Sequence, residues 1–520
     1  MDRILQAIFA IGLLAFILVK RRFRKSRPGL PPGPKPLPVI GNLHQLAGTG
    51  PQWLQLQRWS AIHGPVTHLS VAGQPLVVLA THAAARDLLA GRGARYSDRP
   101  RLVAAVELAT RHLHSAFRPY DDAYRLLRKL HAPLLAAAAA DRYRPVQSLE
   151  ARQLLVDLLG EYDGEYETGL DFALLVERMT GSIIYALIYG YRLKSGHDQP
   201  LRDAHVTQDN FSRMAKTGAY LVDLFPVLNY LPRALAPWKA EGDALYRLEA
   251  DLHAANFRKG LANPGWNFSK QFGRSCEASG VSAFQAAWTV GDTSLAGLDT
   301  SAIALQWFVV ACVAHGRRFV AKAQRDLDEV VGRGRLPTYE DRPWLTYIDA
   351  VVQETLRWRP VSPSEIPHAT KQEDTYMGFR IPAGSIVLPT FWAITRDESL
   401  FGADPDSFVP ERWLHGDKLK DLPLTGFGFG RRACPGRHIA LNGLFIIVAQ
   451  LLWAFEIEAV AGKEVDDTDC VDGVLVKPKH FEAVFRPRGQ WVRDVLRTQQ
   501  QDGEDDLVAL LDRMAGDSSD

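Results

Sequence analysis

Between residues 120 and 337 apolar side chains recur mostly three and four positions apart, the spacing of helices that bury one face. Glycine and proline interrupt the pattern at 160–169, 190–200, 226–237 and 263–265, which predicts separate helices joined by turns. The longest uninterrupted stretch, 282–315, predicts a helix of ~50 Å at 1.5 Å per residue. A second strongly apolar stretch covers 439–455. Strand-like segments are few. Residues 66–70 and 76–80 flank a turn at Gly73-Gln74-Pro75 and predict a hairpin, after which Thr81 is placed to cap a helix to about residue 90. Short strands are expected again at 376–389. The fold class is therefore mainly α with a minor β region, and the pattern shows neither an internal repeat nor a second domain.

The ends differ from the body. Residues 4–19 hold one polar side chain, Gln6, and are followed by Lys20-Arg21-Arg22-Phe23-Arg24-Lys25-Ser26-Arg27. Sixteen apolar residues fall slightly short of the ~20 that span a bilayer, but the basic block behind them suits a signal anchor whose cationic flank stays in the cytosol. The charge order disfavours a cleaved leader. Residues 1–27 are thus expected to form one N-terminal transmembrane helix with its stop-transfer block. Residues 28–50, opening with eleven residues that include six prolines, should form a stiff hinge, and 51–490 the body. Residues 491–520 read as an acidic, mobile tail in which Leu507, Val508, Leu510 and Leu511 suit one short helix.

Charge sharpens this division. The first 27 residues carry seven basic groups against one acidic, residues 499–520 one against seven, and the net charge of the whole is only +2. A balanced body argues for no nucleic-acid partner. The four cysteines, Cys276, Cys312, Cys434 and Cys470, form no CxxC pair and no zinc-like cluster. Three of them read as packing residues in a reducing compartment. The sequon Asn267-Phe268-Ser269 would stay unmodified on the cytosolic side.

The fourth cysteine carries chemistry. It lies in Phe427-Gly428-Phe429-Gly430-Arg431-Arg432-Ala433-Cys434-Pro435-Gly436, just ahead of the apolar 439–455 segment. Pro435 suits the first helical position, and Cys434 at the positive end of a helix would favour thiolate. Gly428, Gly430 and Gly436 let the backbone approach a flat ligand. A lone thiolate beside arginines suits an iron porphyrin, whose axial position accepts thiolate and whose propionates the arginines could meet.

At Phe427, Gly430, Arg432, Cys434 and Gly436 the chain resembles the cytochrome P-450 monooxygenases, whose haem-binding signature these residues match. The resemblance extends over roughly residues 30–490. It implies the fold of that family, haem b held by Cys434 as axial iron ligand, and contacts to the cofactor from Phe427, Arg432 and Gly436. Ala296-Gly297-Leu298-Asp299-Thr300, inside the long helix, resembles the family's oxygen-activation motif. There Ala296 and Gly297 would border the haem and let the helix unwind, while Asp299 and Thr300 carry protons to dioxygen. Read on its residues alone, Thr300 bonds back to its own helix and Gly297 is a packing notch. Glu354-Thr355-Leu356-Arg357 and Pro410-Glu411-Arg412-Trp413 resemble two further motifs, with tryptophan where phenylalanine is usual. They imply a buried structural triad of Glu354, Arg357 and Arg412. Arg99 and His368 match positions that contact propionate. Near residue 124 the chain departs from the usual Trp-x-x-x-Arg and offers Tyr124 and Arg128 instead.

Arg125, Arg128, Lys129, Arg431 and Arg437 suggest a basic patch on the cysteine side, although a solvated helix face explains the first three equally well. No nicotinamide or flavin fingerprint occurs, so the resemblance implies an external donor, the NADPH–cytochrome reductase of the endoplasmic reticulum, meeting a single-pass protein with a monomeric, cytosol-facing catalytic unit. O2 and NADPH-derived electrons would be co-substrates. The segments 220–226 and 394–397 resemble fungal secondary-metabolism members of the O-methylsterigmatocystin oxidoreductase type. By analogy a pocket lined from 102–119, 211–230, 288–296, 361–367 and 471–476 would accept a lipophilic polyketide, terpenoid or alkaloid. Asp292 shares a helix face with Asp299 and is read either as a partner for a polar or basic substrate group or as a solvent contact. Desaturation, ring coupling or isomerisation at the same haem stay open beside monooxygenation, as does a non-catalytic haem sensor.

Overall fold

The computed structural model describes residues 29–46, 50–160, 169–216, 218–414, 426–501 and 506–516. The expected membrane helix therefore lies outside the described residues. Two described helices are long and apolar enough to cross a bilayer, Ala283–Val330 and Arg437–Ala454, and both are mostly buried within the body.

Eleven helices suffice to place the site: α1 (Asp122–Leu135), α2 (Arg144–Gly160), α3 (Ala173–Tyr189), α4 (Gln199–Ala215), α5 (Pro237–Ala262), α6 (Phe268–Ala278), α7 (Ala283–Val330), α8 (Thr346–Trp358), α9 (Arg437–Ala454), α10 (Gln490–Gln501) and α11 (Leu507–Gly516). Helix α7 is the axis of the molecule, packed against α3, α5, α6, α8 and α9. Ser282 caps it by accepting from the Gln285 N–H at 3.2 Å. At 48 residues it runs fifteen residues past the end expected from sequence, straight through His315-Gly316. The reason is that the apolar stripe resumes at Phe319, Val320, Ala323 and Leu327, three or four apart and buried.

The main sheet joins two stretches far apart in the chain. β1 (Val66–Val71) and β2 (Gln74–Leu79) make the expected hairpin. β3 (His368–Ala369), β4 (Asp374–Tyr376), β5 (Phe379–Ile381) and β6 (Ile386–Pro389) follow much later in the chain. The four-stranded sheet has the order β1-β2-β6-β3, with β6 parallel to β2 and Leu76 opposite Ile386. The proline-rich segment lies along this sheet, where the His68 N–H donates to the Pro32 carbonyl at 2.9 Å.

The Glu354–Arg357 pair is completely buried, with both guanidinium bonds at 2.7 Å. Arg412 completes the expected triad at 3.5 Å from Glu354. The remaining Arg357 donors reach the carbonyls of Thr395, Pro405 and Ser407, so this pair ties α8 to the irregular segment ahead of the cysteine loop.

The C-terminal region differs from expectation. α11 is the short helix expected around Leu507–Leu511, but it and α10 are packed where a mobile tail was expected. Val492, Leu496, Leu510, Leu511 and Met514 are buried, Trp491 meets Trp453 edge-on at 4.5 Å, and Asp512 accepts the Trp266 N–H at 2.9 Å. Residues 502–505 and 517–520 lie outside the described residues. Cys276 and Cys312 are buried free thiols and Cys470 is half-buried, as packing residues should be. Asn267 is also fully buried, capping α6 through Lys270 N–H and donating to the Gly260 carbonyl.

Candidate active site

The cysteine loop and α7 face one another across a cavity of about 390 Å³. Cys434, Pro435 and Gly436 form one wall, and Ala296, Gly297 and Thr300 belong to the other. The surface of the cavity is mostly apolar, with Leu127, Ile183, Leu444 and Ile447 among the residues that line it.

The loop is held by its backbone. The Cys434 N–H donates to the Phe427 carbonyl at 2.7 Å, and Arg128 donates to the Ala433 carbonyl at 2.9 Å. Gly428 and Gly430 take φ of 73° and 56°, values denied to most residues, whereas Gly436 has an ordinary φ of −84°. Helix α9 begins at Arg437, not at Pro435, with Gly436 as its cap. Cys434 consequently stands three residues before the first residue of the helix. Burial pushes its thiol up, against the Gly436 N–H and the charges of Arg128 and Arg437, which favour the thiolate.

Arg99 and Arg432 are both buried and both line the cavity. Arg99 donates to the carbonyls of Ala116, Ile366 and Pro367, and Arg432 to those of Ser97 and Arg118. Among the described residues no carboxylate forms an ion pair with either. Burial, and then Arg432, lowers Arg99 to about 9, and burial also lowers Arg432. Two desolvated cations that repel one another at the rim of an apolar slot suit a ligand bearing two carboxylates. Tyr124 lies against Arg432, whose guanidinium sits 3.9 Å from the ring centroid. His368 is placed differently from expectation. Its Nδ1–H donates to the Tyr96 carbonyl at 2.8 Å and its Nε2 is 3.4 Å from Glu365, so the ring packs behind the cavity wall. Glu365 and Arg99 take the lining positions instead.

Helix α7 is unbroken at Gly297, so the expected unwinding is not observed. A Cβ there would lie 2.6 Å from Ile184 Cδ1, which makes Gly297 a notch for α3. Thr300 Oγ1 donates to the Ala296 carbonyl at 2.9 Å, the local bond available to any helical threonine. Asp299 points away toward α4, 3.3 Å from His205 Nε2. Asp292 is buried at 5% exposure, which rules out the solvent contact. Its Oδ2 accepts the Ser115 N–H at 2.6 Å.

Of the five segments expected to line the pocket, 102–119, 288–296, 361–367 and 471–476 do so, while among the described residues of 211–230 none does. Phe211 stands one layer back, stacked on His114 at 4.1 Å. Sequence reasoning missed His131, which lines the cavity and whose Nε2 is buried without a hydrogen-bond partner among the described residues. The 124, 128, 131 spacing on α1 was the available signal, since those positions share a face. Burial, aided by Arg128, holds His131 down to about 4.

Comparison with known proteins agrees with this geometry. A family model for Cytochrome P450 matches residues 31–485. The chain is 38% identical to Cytochrome P450 monooxygenase aneD of Aspergillus aculeatus, covering 97% of this chain and 96% of that one. It is 36% identical to Cytochrome P450 monooxygenase drtD of Aspergillus calidoustus (94% and 91% covered) and 34% identical to Cytochrome P450 monooxygenase peniB of Penicillium patulum (93% and 89%). Near-complete coverage in both directions leaves no large unmatched region, and the chain belongs to the cytochrome P450 family as a monooxygenase-type oxidoreductase.

Proposed function

We propose that this protein inserts one oxygen atom of O2 into a lipophilic small molecule, a fungal secondary metabolite such as a polyketide, terpenoid or alkaloid. Electrons come from NADPH through a separate reductase at the endoplasmic reticulum membrane. One observation carries the reading: Cys434 and Ala296, Gly297 and Thr300 of α7 line the same largely apolar cavity, with Arg99 and Arg432 buried in its lining.

The residues present fit haem b. Cys434 would hold the iron through its thiolate, Arg99 and Arg432 would hold the propionates with Tyr124 beside them, and Phe427 with Gly436 would shape the sulfur side. When bound, the haem supplies oxygen activation. The protein's own tasks are then to bind, orient and deliver protons. Aliphatic walls exclude water and bind the substrate by area. Thr300 Oγ1, on turning from the Ala296 carbonyl, hands a proton into the cavity, and Asp299, which here faces His205, would have to rotate to pass one to it. Exposed Arg125, Lys129, Arg431 and Arg437 surround the cysteine face and favour an acidic reductase surface.

The test uses microsomes carrying the chain and its reductase, supplied with NADPH, heavy-isotope dioxygen and a lipophilic fungal extract. A new product bearing one heavy oxygen, absent with Cys434→Ser, is expected. A new product without the label would replace monooxygenation by desaturation, coupling or rearrangement.

A further inference from the structure

Away from the cysteine loop, α5 and α7 bury a second polar group. Glu249 and His253, one helical turn apart on α5, meet Asp292 of α7, and all three are at most 5% exposed. His253 Nε2 lies 3.4 Å from Glu249 Oε1 and 4.0 Å from Asp292 Oδ1. One ligand atom from each residue falls within 4.8 Å of the other two. Those same three atoms, Glu249 Oε1, His253 Nε2 and Asp292 Oδ1, have no hydrogen-bond partner among the described residues. Three unpaired polar atoms converging on one buried point cost several kcal/mol if nothing joins them.

From this convergence we infer a structural divalent-metal site, best suited to Zn2+, held by Glu249, His253 and Asp292.

The chemistry of the donors supports a metal over the alternatives. A hydrogen bond between carboxyl and imidazole would bring the atoms to about 2.8 Å, well inside the observed separations. Zinc bonds of about 2.0–2.1 Å set tetrahedral ligand–ligand edges near 3.3 Å, close to the shorter separation. One imidazole nitrogen and two carboxylate oxygens suit zinc better than calcium or magnesium, which take six or more oxygens. A substrate ammonium cannot substitute, because only Asp292 of the three reaches the cavity. The placement is also built in. Gly291 has no side chain where a Cβ would come within 2.0 Å of His253 Nδ1, and Asp292 is oriented by its bond to the Ser115 N–H. A metal here would clamp α5, α7 and the 115 loop together over the cavity.

The experiment takes the purified haem-loaded protein, strips it with a chelator, and titrates ZnCl2 alone. Retained zinc is counted by mass spectrometry, thermal unfolding is followed, and X-ray absorption at the zinc edge reads the ligands. Expected are one zinc per chain beyond the haem iron, a higher thermal midpoint with zinc, and one imidazole with carboxylate oxygens at about 2.0–2.2 Å. His253→Gln and Glu249→Gln should each weaken zinc binding by about 100-fold or more while keeping a normal reduced carbon monoxide spectrum. Absence of retained zinc in the wild type overturns the inference, and so does equal retention in both variants, which would place the ion on surface histidines. If a variant fails to fold, the absorption spectrum of the wild type decides alone: a shell without imidazole overturns it.

Discussion

Trp413 Nε1 donates to Glu354 Oε2 at 2.9 Å, inside a pocket where Arg357 and the Val409 N–H bind the same carboxylate. The tryptophan that departs from the family's usual phenylalanine thus adds a donor to the buried ion pair. Removing the charge by Glu354→Gln leaves Arg357 buried and uncompensated, a loss of about 3–5 kcal/mol. Trp413→Phe deletes one bond to a charged group and should cost about 1.5–3 kcal/mol. Thermal unfolding of the haem-loaded forms checks both, with Glu354→Gln expected to lose most of its folded yield.

Gly297→Ala forces the new methyl to within 2.6 Å of Ile184 Cδ1. Overpacking of about 1–3 kcal/mol then competes with a helix-propensity gain of about 1 kcal/mol. Shortening the neighbour in Gly297→Ala/Ile184→Val should recover stability at least to that of Ile184→Val alone. A double variant no better than Gly297→Ala would show that the notch serves something other than packing.

His205 gives a pH dependence with a defined sign. Burial works to lower it, but the hydrogen bond and charge of Asp299, with Glu177 and Asp209 behind, hold it above its ordinary 6.5. A raised value means the pair stabilises the fold fully below about pH 6.5 and stops doing so as pH rises through the folded value. His205→Gln should therefore lower the melting temperature more at pH 6 than at pH 8.5. Equal losses at both would mean that the contact with Asp299 is not charged.

Leu511 is fully buried on α11. Leu511→Ala should cost about 2–5 kcal/mol, as in a well-packed core. Unfolding of the full chain measures it, and a loss below 0.5 kcal/mol would mean that α11 is only loosely docked.

What the sequence made legible was local or carried by motif spacing. The hairpin at β1 and β2, the Thr81 cap, the Glu354–Arg357 pair and the facing of Cys434 by α7 all follow from residues near each other or from fixed patterns. The errors came from non-local competition. Gly316 suggested a helix end, but the stripe from Phe319 to Leu327 was buried and carried α7 onward. The acidic count beyond 499 suggested a mobile tail; the short helix from Leu507 was expected, but not that Leu510 and Leu511 would be buried. Neither Asp299 with His205 nor Asp292 with His253 could be paired from spacing, since the partners lie on helices 94 and 39 residues apart in the chain.

The buried Asn267 makes sugar attachment and folding mutually exclusive. Its side chain amide is the donor to Gly260 that closes the corner between α5 and α6, and no glycan fits beside a residue with 0% exposure. A nascent chain threaded into the lumen would be marked at this asparagine before the corner closed, and the corner could not then form. The sequon can therefore carry a glycan only in a chain that has not closed this corner.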